Sequence, residues 1–516
     1  MRLCWEGETF VWSSLALINR EVARRLAARR DIAISLYQSA PARLDPRHVP
    51  DMADLLPLLA PLPGPADVHV RHQWPFRDDP PPSGRWVVMQ HWEFGSLPRP
   101  WLAPMRDRID EIWVASRFVR DCCVASGVPA DQVAIIPCGV DTALFTDVGP
   151  AFPLATDKRF KFLFVGGTIP RKGVDLLLKA YGLAFQRDDD VTLIVKDFGS
   201  RTSYLGQGIG EQLAAMAASD TGPEIRLIDT DLAPAELAAL YRSVDCLVQP
   251  YRGEGFGLPI AEAMAAGRPV IVPDYGACLD FCDADTAVLV PARVVAHPDR
   301  IIGDLETVHH PWWCEVDVHG LAAAMRAMVA DPAAFQAMAR RGQARIRADF
   351  TWDRTVDRIV ERLTVLTERP ARRLARQQAP FAIAGRRRVA FLMLPDWSHP
   401  VWKAGLAAYL QAFGPTDDVS LVLYVPPRGA VSLADVETAL VATICAVGHD
   451  PERIADVIIM HDALGRSDHA DLIVATDVYL PCGEALAEAH TEAAHLYGRT
   501  VVTAVAAETL RAVAGF

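Results

Sequence analysis

Short apolar runs alternate with segments of helical periodicity along nearly the whole chain, and that alternation admits few folds. Parallel strands need long crossovers, and a helix in the crossover covers one face of the sheet; the pattern therefore reads as α/β with parallel sheets. In the first part, residues 86–89, 112–115 and 133–137 have the composition of buried strands. From residue 160 the alternation is denser, with strands at 162–165, 191–195, 246–248 and 269–272 and helices at 174–185, 234–243 and around 262–266. Ligands of such sheets sit beyond the carboxyl ends of the strands. Helical periodicity continues from 321 to about 366, broken near 350–352.

Length and composition set bounds. A chain of 516 residues, 51% of them hydrophobic, has room for three or four compact units. The net charge of -12 and a pI near 5.6 argue against a nucleic-acid binder, which carries a basic footprint. The ten cysteines are scattered, with Cys122 and Cys123 adjacent and Cys278 and Cys282 close, but no CxxC pair suggests a zinc site. The first residues lack the charged head and apolar run of a signal peptide, and no apolar stretch is long enough to span a bilayer. The expected setting is a reducing cytoplasm with free thiols. Residues 16–30 form a helical pattern carrying Arg20, Arg24, Arg25, Arg29 and Arg30. The plain reading is a solvated helix face; the sharper one is peripheral contact with the inner face of a membrane or with an anionic acceptor.

The chain also contains a repeat. The stretch from Ala180 to Phe185 followed by Asp189, Asp190 and Val191 matches that from Ala408 to Phe413 followed by Asp417, Asp418 and Val419 in the same register. Further on, Gly253-Glu254 and Glu262-Ala263 correspond to Gly483-Glu484 and Glu492-Ala493. The tail reads as a second copy of the 160–290 unit. An Arg-rich segment with Pro370, Pro380 and Gly385 reads as a linker. The expected division is 1–150, 151–367, a linker at 368–388, and the repeat at 389–516.

Two motifs carry chemistry. In Gly253-Glu-Gly-Phe-Gly-Leu-Pro-Ile-Ala-Glu262, a Gly-rich loop leads into a helix starting near Pro259. Loop glycines allow close approach of backbone N–H groups, and a helix start carries partial positive charge suited to phosphate. Glu262, one turn into that helix, can accept hydrogen bonds from two ribose hydroxyls; Glu254 can do so for a sugar. The bland alternative is a capped helix after a glycine turn. The second motif, from Val165 to Gly173, is a glycine-flanked turn with Arg171 and Lys172 between a strand and a helix. It matches neither GxGxxG nor GxxxxGK[ST]. A cation there can neutralise a departing diphosphate; the alternative is an ordinary surface loop.

Together, FLFVGGTIPRKGVDLLLKAY, PYRGEGFGLPIAEAMAAGRPVIV, IIPCGVDTALF and FTWDRTVDRIVERL resemble the retaining glycosyltransferase family 4, of GT-B fold, over residues 1–366. The resemblance implies two Rossmann-like domains facing a cleft, the last stretch being a helix that crosses back to the first domain. It implies that Glu254 contacts the transferred sugar, with Phe256, Gly257 and Leu258 offering amides to sugar and phosphate. It implies that Glu262 binds ribose, Lys172 the diphosphate, His91 the sugar from the first domain, and that Gly7 lies in a glycine loop beside the diphosphate. Where many relatives carry an arginine, this chain has Gly167, so Thr168 or Arg171 is the substitute. No DxD motif stands in a suitable loop, and Asp188, Asp189 and Asp190 read as a solvated turn. The family is metal-independent and needs no cofactor beyond its nucleotide-diphosphate sugar substrate. The implied reaction retains anomeric configuration, with the departing phosphate as base. UDP or GDP, the sugar, and a glycan, lipid-linked, protein or small-molecule acceptor stay open.

The tail keeps the Glu484–Glu492 spacing but has Ala485, Ala487 and Ala489 for Gly255, Gly257 and Pro259, and no lysine between Leu394 and Pro400. Dimerisation, acceptor positioning or a vestigial sugar surface are its expected roles. Trp397, His399 and Trp402 read as core aromatics or as a stacking surface. Rival readings of the whole chain are a GT-B phosphorylase or epimerase, and a non-catalytic sugar-binding scaffold.

Overall fold

The computed structural model describes all residues except 39–48, 82, 199–207, 220, 370–382, 427–430, 462–471, 483–489, 492–493, 496–498, 504 and 516. The chain is α/β with parallel sheets, the class its sequence implies. It divides into two compact units: Met1–Val88, Asp107–Glu111 and Leu363–Phe516 form one, and Met89–Arg106 and Ile112–Arg362 the other.

In the first unit, the parallel strands Ala33–Tyr37, Arg2–Glu6, Val68–Arg71 and Arg85–Met89 lie side by side in that order. Trp5, Val70 and Trp86 are fully buried, as expected of a sheet covered on both faces. Helix Ser14–Ala27 is capped by Ser13, whose hydroxyl accepts from the Ala16 amide. The arginines on this helix do not make one solvated face. Arg20 points inward, donating to Thr9 O at 2.8 Å and Val11 O at 2.7 Å, and its guanidinium lies 5.2 Å from the Trp12 ring centroid. Burial lowers its pKa to about 10. Arg24 pairs with Glu21 and Asp54, and Arg25 with Glu21.

The same unit holds a second parallel sheet, in the order Asp456–Met460, Val419–Tyr424, Val389–Met393, Val478–Tyr479 and Thr500–Val501. Phe391, Tyr409 and Phe413 pack at its centre, and Tyr409 donates to Asp456 O at 2.9 Å. Trp397 and Trp402 pack on each other at 5.0 Å, and the Trp397 indole donates to Tyr424 O, so this pair belongs to the core. Glu484 and Glu492 fall outside the described residues.

The second unit is built on six parallel strands in the order Val288–Val290, Val270–Pro273, Cys246–Val248, Phe160–Gly166, Val191–Asp197 and Glu224–Ile228. Its last five strands have the same connectivity around the central one as the C-terminal sheet. Phe162, Tyr181 and Phe185 take the places of Phe391, Tyr409 and Phe413, and Tyr181 donates to Glu224 O at 2.8 Å. The segment after strand Val133–Ile135 is stitched to the start of helix Trp352–Glu368: the Val140 amide donates to Phe350 O and the Thr355 hydroxyl to Pro137 O, both at 2.9 Å. An antiparallel pair, Ala292–Ala296 with Trp312–Val316, and the short ladder Ile301–Ile302 with Leu305–Glu306 between them were not expected from the sequence pattern.

Candidate active site

The site follows from strand order. Phe160–Gly166 and Cys246–Val248 are neighbours, with Phe162 opposite Cys246, yet the chain leaves them toward opposite edges of the sheet. The loops after two such strands diverge and open a crevice at their carboxyl ends. Those loops are residues 167–173 and 249–257, the two motifs singled out in the sequence.

Each loop is held by close packing. The turn Pro170–Lys172 ends on Gly173, whose φ is +74°; a Cβ there would lie 1.9 Å from Pro250 O, so only glycine fits. The Arg252 amide donates to Arg171 O at 2.8 Å, stitching one loop to the other. At Gly253 a Cβ would fall 2.3 Å from Glu93 O, and at Gly255 it would touch His91 Nδ1 at 3.4 Å. Gly255 O accepts from the Ser116 hydroxyl at 2.8 Å. Segment 91–93 is thereby laid against the Gly-rich loop.

This packing assembles the charges. The Lys172 ammonium donates to Glu254 Oε1. Arg171 Nη1 donates to Gly253 O at 2.9 Å and lies 3.4 Å from Glu93 Oε1 and 3.9 Å from Glu254 Oε2. His91 is half-buried, and desolvation lowers its pKa against the opposing pull of Glu93 and Glu254. The shift favours the neutral imidazole, which can donate one hydrogen bond and accept another. Helix Leu258–Ala265 begins at Gly257, with Pro259 in its first turn, so its free N–H groups face the end of the glycine loop. Glu262 lies on this helix, buried, and accepts from the Tyr241 hydroxyl at 2.9 Å. Burial raises its pKa to about 7, with the Tyr241 hydrogen bond opposing.

The other expected residues have local partners of their own. The Thr168 amide donates to Asp197 Oδ1 at 3.2 Å and its carbonyl accepts from Ile209, so its backbone is committed to the fold. Gly167 is buried beside it. The Phe256 ring packs on Phe281 and Phe350, while Leu258 is half-buried at the helix start. Gly7 lies in the first unit, where a Cβ would fall 2.1 Å from His72 O; Asn19 accepts from Trp5 Nε1 and bonds the His72 ring, fixing that loop. Sequence reasoning missed Glu93, Tyr241 and Ser116. Glu93 stands two residues past His91, a signal that was available; Tyr241 reaches Glu262 from a different helix and left none. Among the described residues no group of three or more His, Cys, Asp or Glu is placed to hold a metal ion.

Comparison with known proteins bears on the same region. The chain is 34% identical over 160 residues to a D-inositol 3-phosphate glycosyltransferase of Pseudarthrobacter chlorophenolicus, covering 29% of this chain and 36% of that one. It is 29% identical over 231 residues to an MMP alpha-(1->4)-mannosyltransferase of Mycolicibacterium hassiacum, covering 42% and 52%. The chain thus spans about half or less of the length of these curated relatives. Among solved structures, sucrose-phosphate synthase from Thermosynechococcus elongatus superposes with a TM-score of 0.50 at 16% identity, covering 71% of this chain and 99% of that one, which shows a shared GT-B fold. Residues 159–305, which contain both loops of the crevice, match the family model of Glycosyl transferases group 1.

Proposed function

We propose that the chain is a glycosyltransferase that moves a sugar from a nucleotide-diphosphate sugar to an acceptor hydroxyl, with retention of anomeric configuration and without a metal ion. The observation that carries this reading is the meeting of Lys172, Arg171, Glu254 and a helix start at the switch point of one parallel sheet, with Glu262 on the helix that follows. In this reading Lys172 and the amides at the start of helix Leu258–Ala265 bind the diphosphate and stabilise the charge it gains as the anomeric C–O bond breaks. Glu254 turns from Lys172 toward the sugar hydroxyls, and Glu262 holds the ribose. The acceptor oxygen bonds to the anomeric carbon on the face the nucleotide leaves, and its proton passes to the departing phosphate oxygen. His91, neutral, orients the sugar by hydrogen bonding rather than by charge.

Glu262→Ala is expected to weaken nucleotide-sugar binding, and Lys172→Ala to lower turnover. Wild-type kinetics in both variants end the proposal. Slow release of nucleoside diphosphate without acceptor separates a transferase from a sugar-binding scaffold, which releases none. The shared connectivity of the two sheets supports the tail as a degenerate copy of the nucleotide-sugar unit, so Glu484→Ala is expected to leave turnover intact.

A further inference from the structure

The parallel sheet of the second unit does not require the hairpin of residues 292–316. One side of the hairpin runs along the segment that follows His91. The Trp312 amide donates to Phe94 O at 3.0 Å, Val308 to Leu97 O at 2.9 Å, and His309 to the Ser96 hydroxyl at 2.7 Å. The hairpin also reaches the Glu254 loop, where the Cys314 amide donates to Arg252 O at 2.9 Å. Side chains reinforce both contacts. Trp313 is flanked by Phe94, stacked at 6.3 Å, by His297 at 4.6 Å, and by the Arg252 guanidinium 5.2 Å from its ring. Arg252 in turn is gripped by Asp175 and Glu315. Gly95 lies flush on Trp312, where a Cβ would come within 2.3 Å of the ring.

We propose that this hairpin is a clasp and that Glu93, held in place by it, is a positioning residue for the donor site. Glu93 directly precedes the clasped segment. Its carbonyl abuts Gly253, and its carboxylate shares Arg171 with Gly253 O and Glu254. Two cations and two carboxylates are thus interleaved: Lys172 on Glu254, Arg171 chiefly on Glu93. Without the Glu93 charge, Arg171 has Glu254 as its next carboxylate, already within 3.9 Å. Glu254 then carries both cations and is less available to a sugar, while Arg171 is less available to a diphosphate. The inference rests on the nucleotide-sugar reading for its kinetic consequence, though not for the clasp itself.

Two measurements on the full chain test it. Hydrogen–deuterium exchange of Trp313→Ala is expected to speed exchange at 94–97 and 252–255 by about tenfold or more while strand Val191–Asp197 keeps its protection, which also shows the variant is folded. Unchanged exchange at 94–97 overturns the clasp. In donor hydrolysis with UDP-glucose and GDP-mannose as probes, Glu93→Gln is expected to raise the half-saturating donor concentration about tenfold with turnover within about threefold, and Glu93→Asp to restore most of it. A fall in turnover at unchanged half-saturation, or Glu93→Asp as impaired as Glu93→Gln, overturns the positioning role. If the wild type neither binds nor hydrolyses a nucleotide sugar, the functional reading falls, and the exchange data alone decide the clasp.

Discussion

Glu262 makes the proposed donor site sensitive to pH in a way that stability measurements can read. Its carboxyl is enclosed by helix Leu258–Ala265 and the Tyr241 ring, and burial lifts its pKa from an ordinary 4.5 to about 7. Each tenfold change in proton affinity corresponds to about 1.4 kcal/mol, so the ionised carboxylate costs the folded chain about 3 kcal/mol relative to the unfolded one. Because the folded value is the higher, the folded state binds more protons between these two values. The stabilisation is complete below pH 4.5 and is lost as pH rises through about 7. Glu262→Gln keeps an acceptor for the Tyr241 hydroxyl and removes the titration. The variant is expected to match the wild type near pH 4 and to exceed it by up to about 3 kcal/mol near pH 8, read as urea midpoints with unchanged slope. The same variant is expected to bind donor less tightly, since an amide replaces a carboxylate facing two hydroxyls. A stability difference that does not vary with pH, or one that favours the wild type at high pH, refutes the reasoning.

Two further outcomes follow from packing. Gly173→Ala forces a left-handed conformation at φ +74° and drives a Cβ to 1.9 Å from Pro250 O, so a loss of at least about 1–3 kcal/mol is expected; a wild-type denaturation midpoint contradicts it. Brief alkylation of the native chain near neutral pH is expected to mark the exposed Cys445 and to spare Cys123 and Cys138, whose thiols burial pushes up to about 12; stoichiometric labelling of Cys123 before Cys445, read by peptide mass mapping, is the contrary result.

The parts of the fold that the sequence displayed are those with unbroken apolar runs. Residues 162–165 and 191–195 are buried on both faces, so composition alone marks them. The glycines of residues 253–257 were equally legible, because close approach and a helix start leave few other residues possible. The edge strand Glu224–Ile228 was not, since Arg226 is exposed and Glu224 half-buried, which breaks the run. The 292–316 hairpin was hidden for a different reason. Val294 is exposed at 60% while its partner Cys314 is fully buried, and pairing across about twenty intervening residues leaves no local period. Arg20 was misread because its charge outweighed its place in the helix. It shares the buried stripe of Ala16 and Ala23, and its guanidinium is satisfied by two carbonyls of the preceding loop.

The two sheets that share one connectivity separate what makes such a layer fold from what it can be used for. Each is centred on a Phe in the middle strand, a Tyr whose hydroxyl reaches a carbonyl of the third strand, and a second Phe ending the first helix. None of these six aromatics stands at the carboxyl rim, where the loop carrying Lys172 follows the central strand of one sheet and the loop Leu394–Pro400, without a lysine, follows that of the other. The interior triad is in effect a chassis that tolerates complete rewriting of its rim. A recognition surface could be transplanted onto the C-terminal layer by exchanging rim loops alone, leaving its aromatic centre untouched.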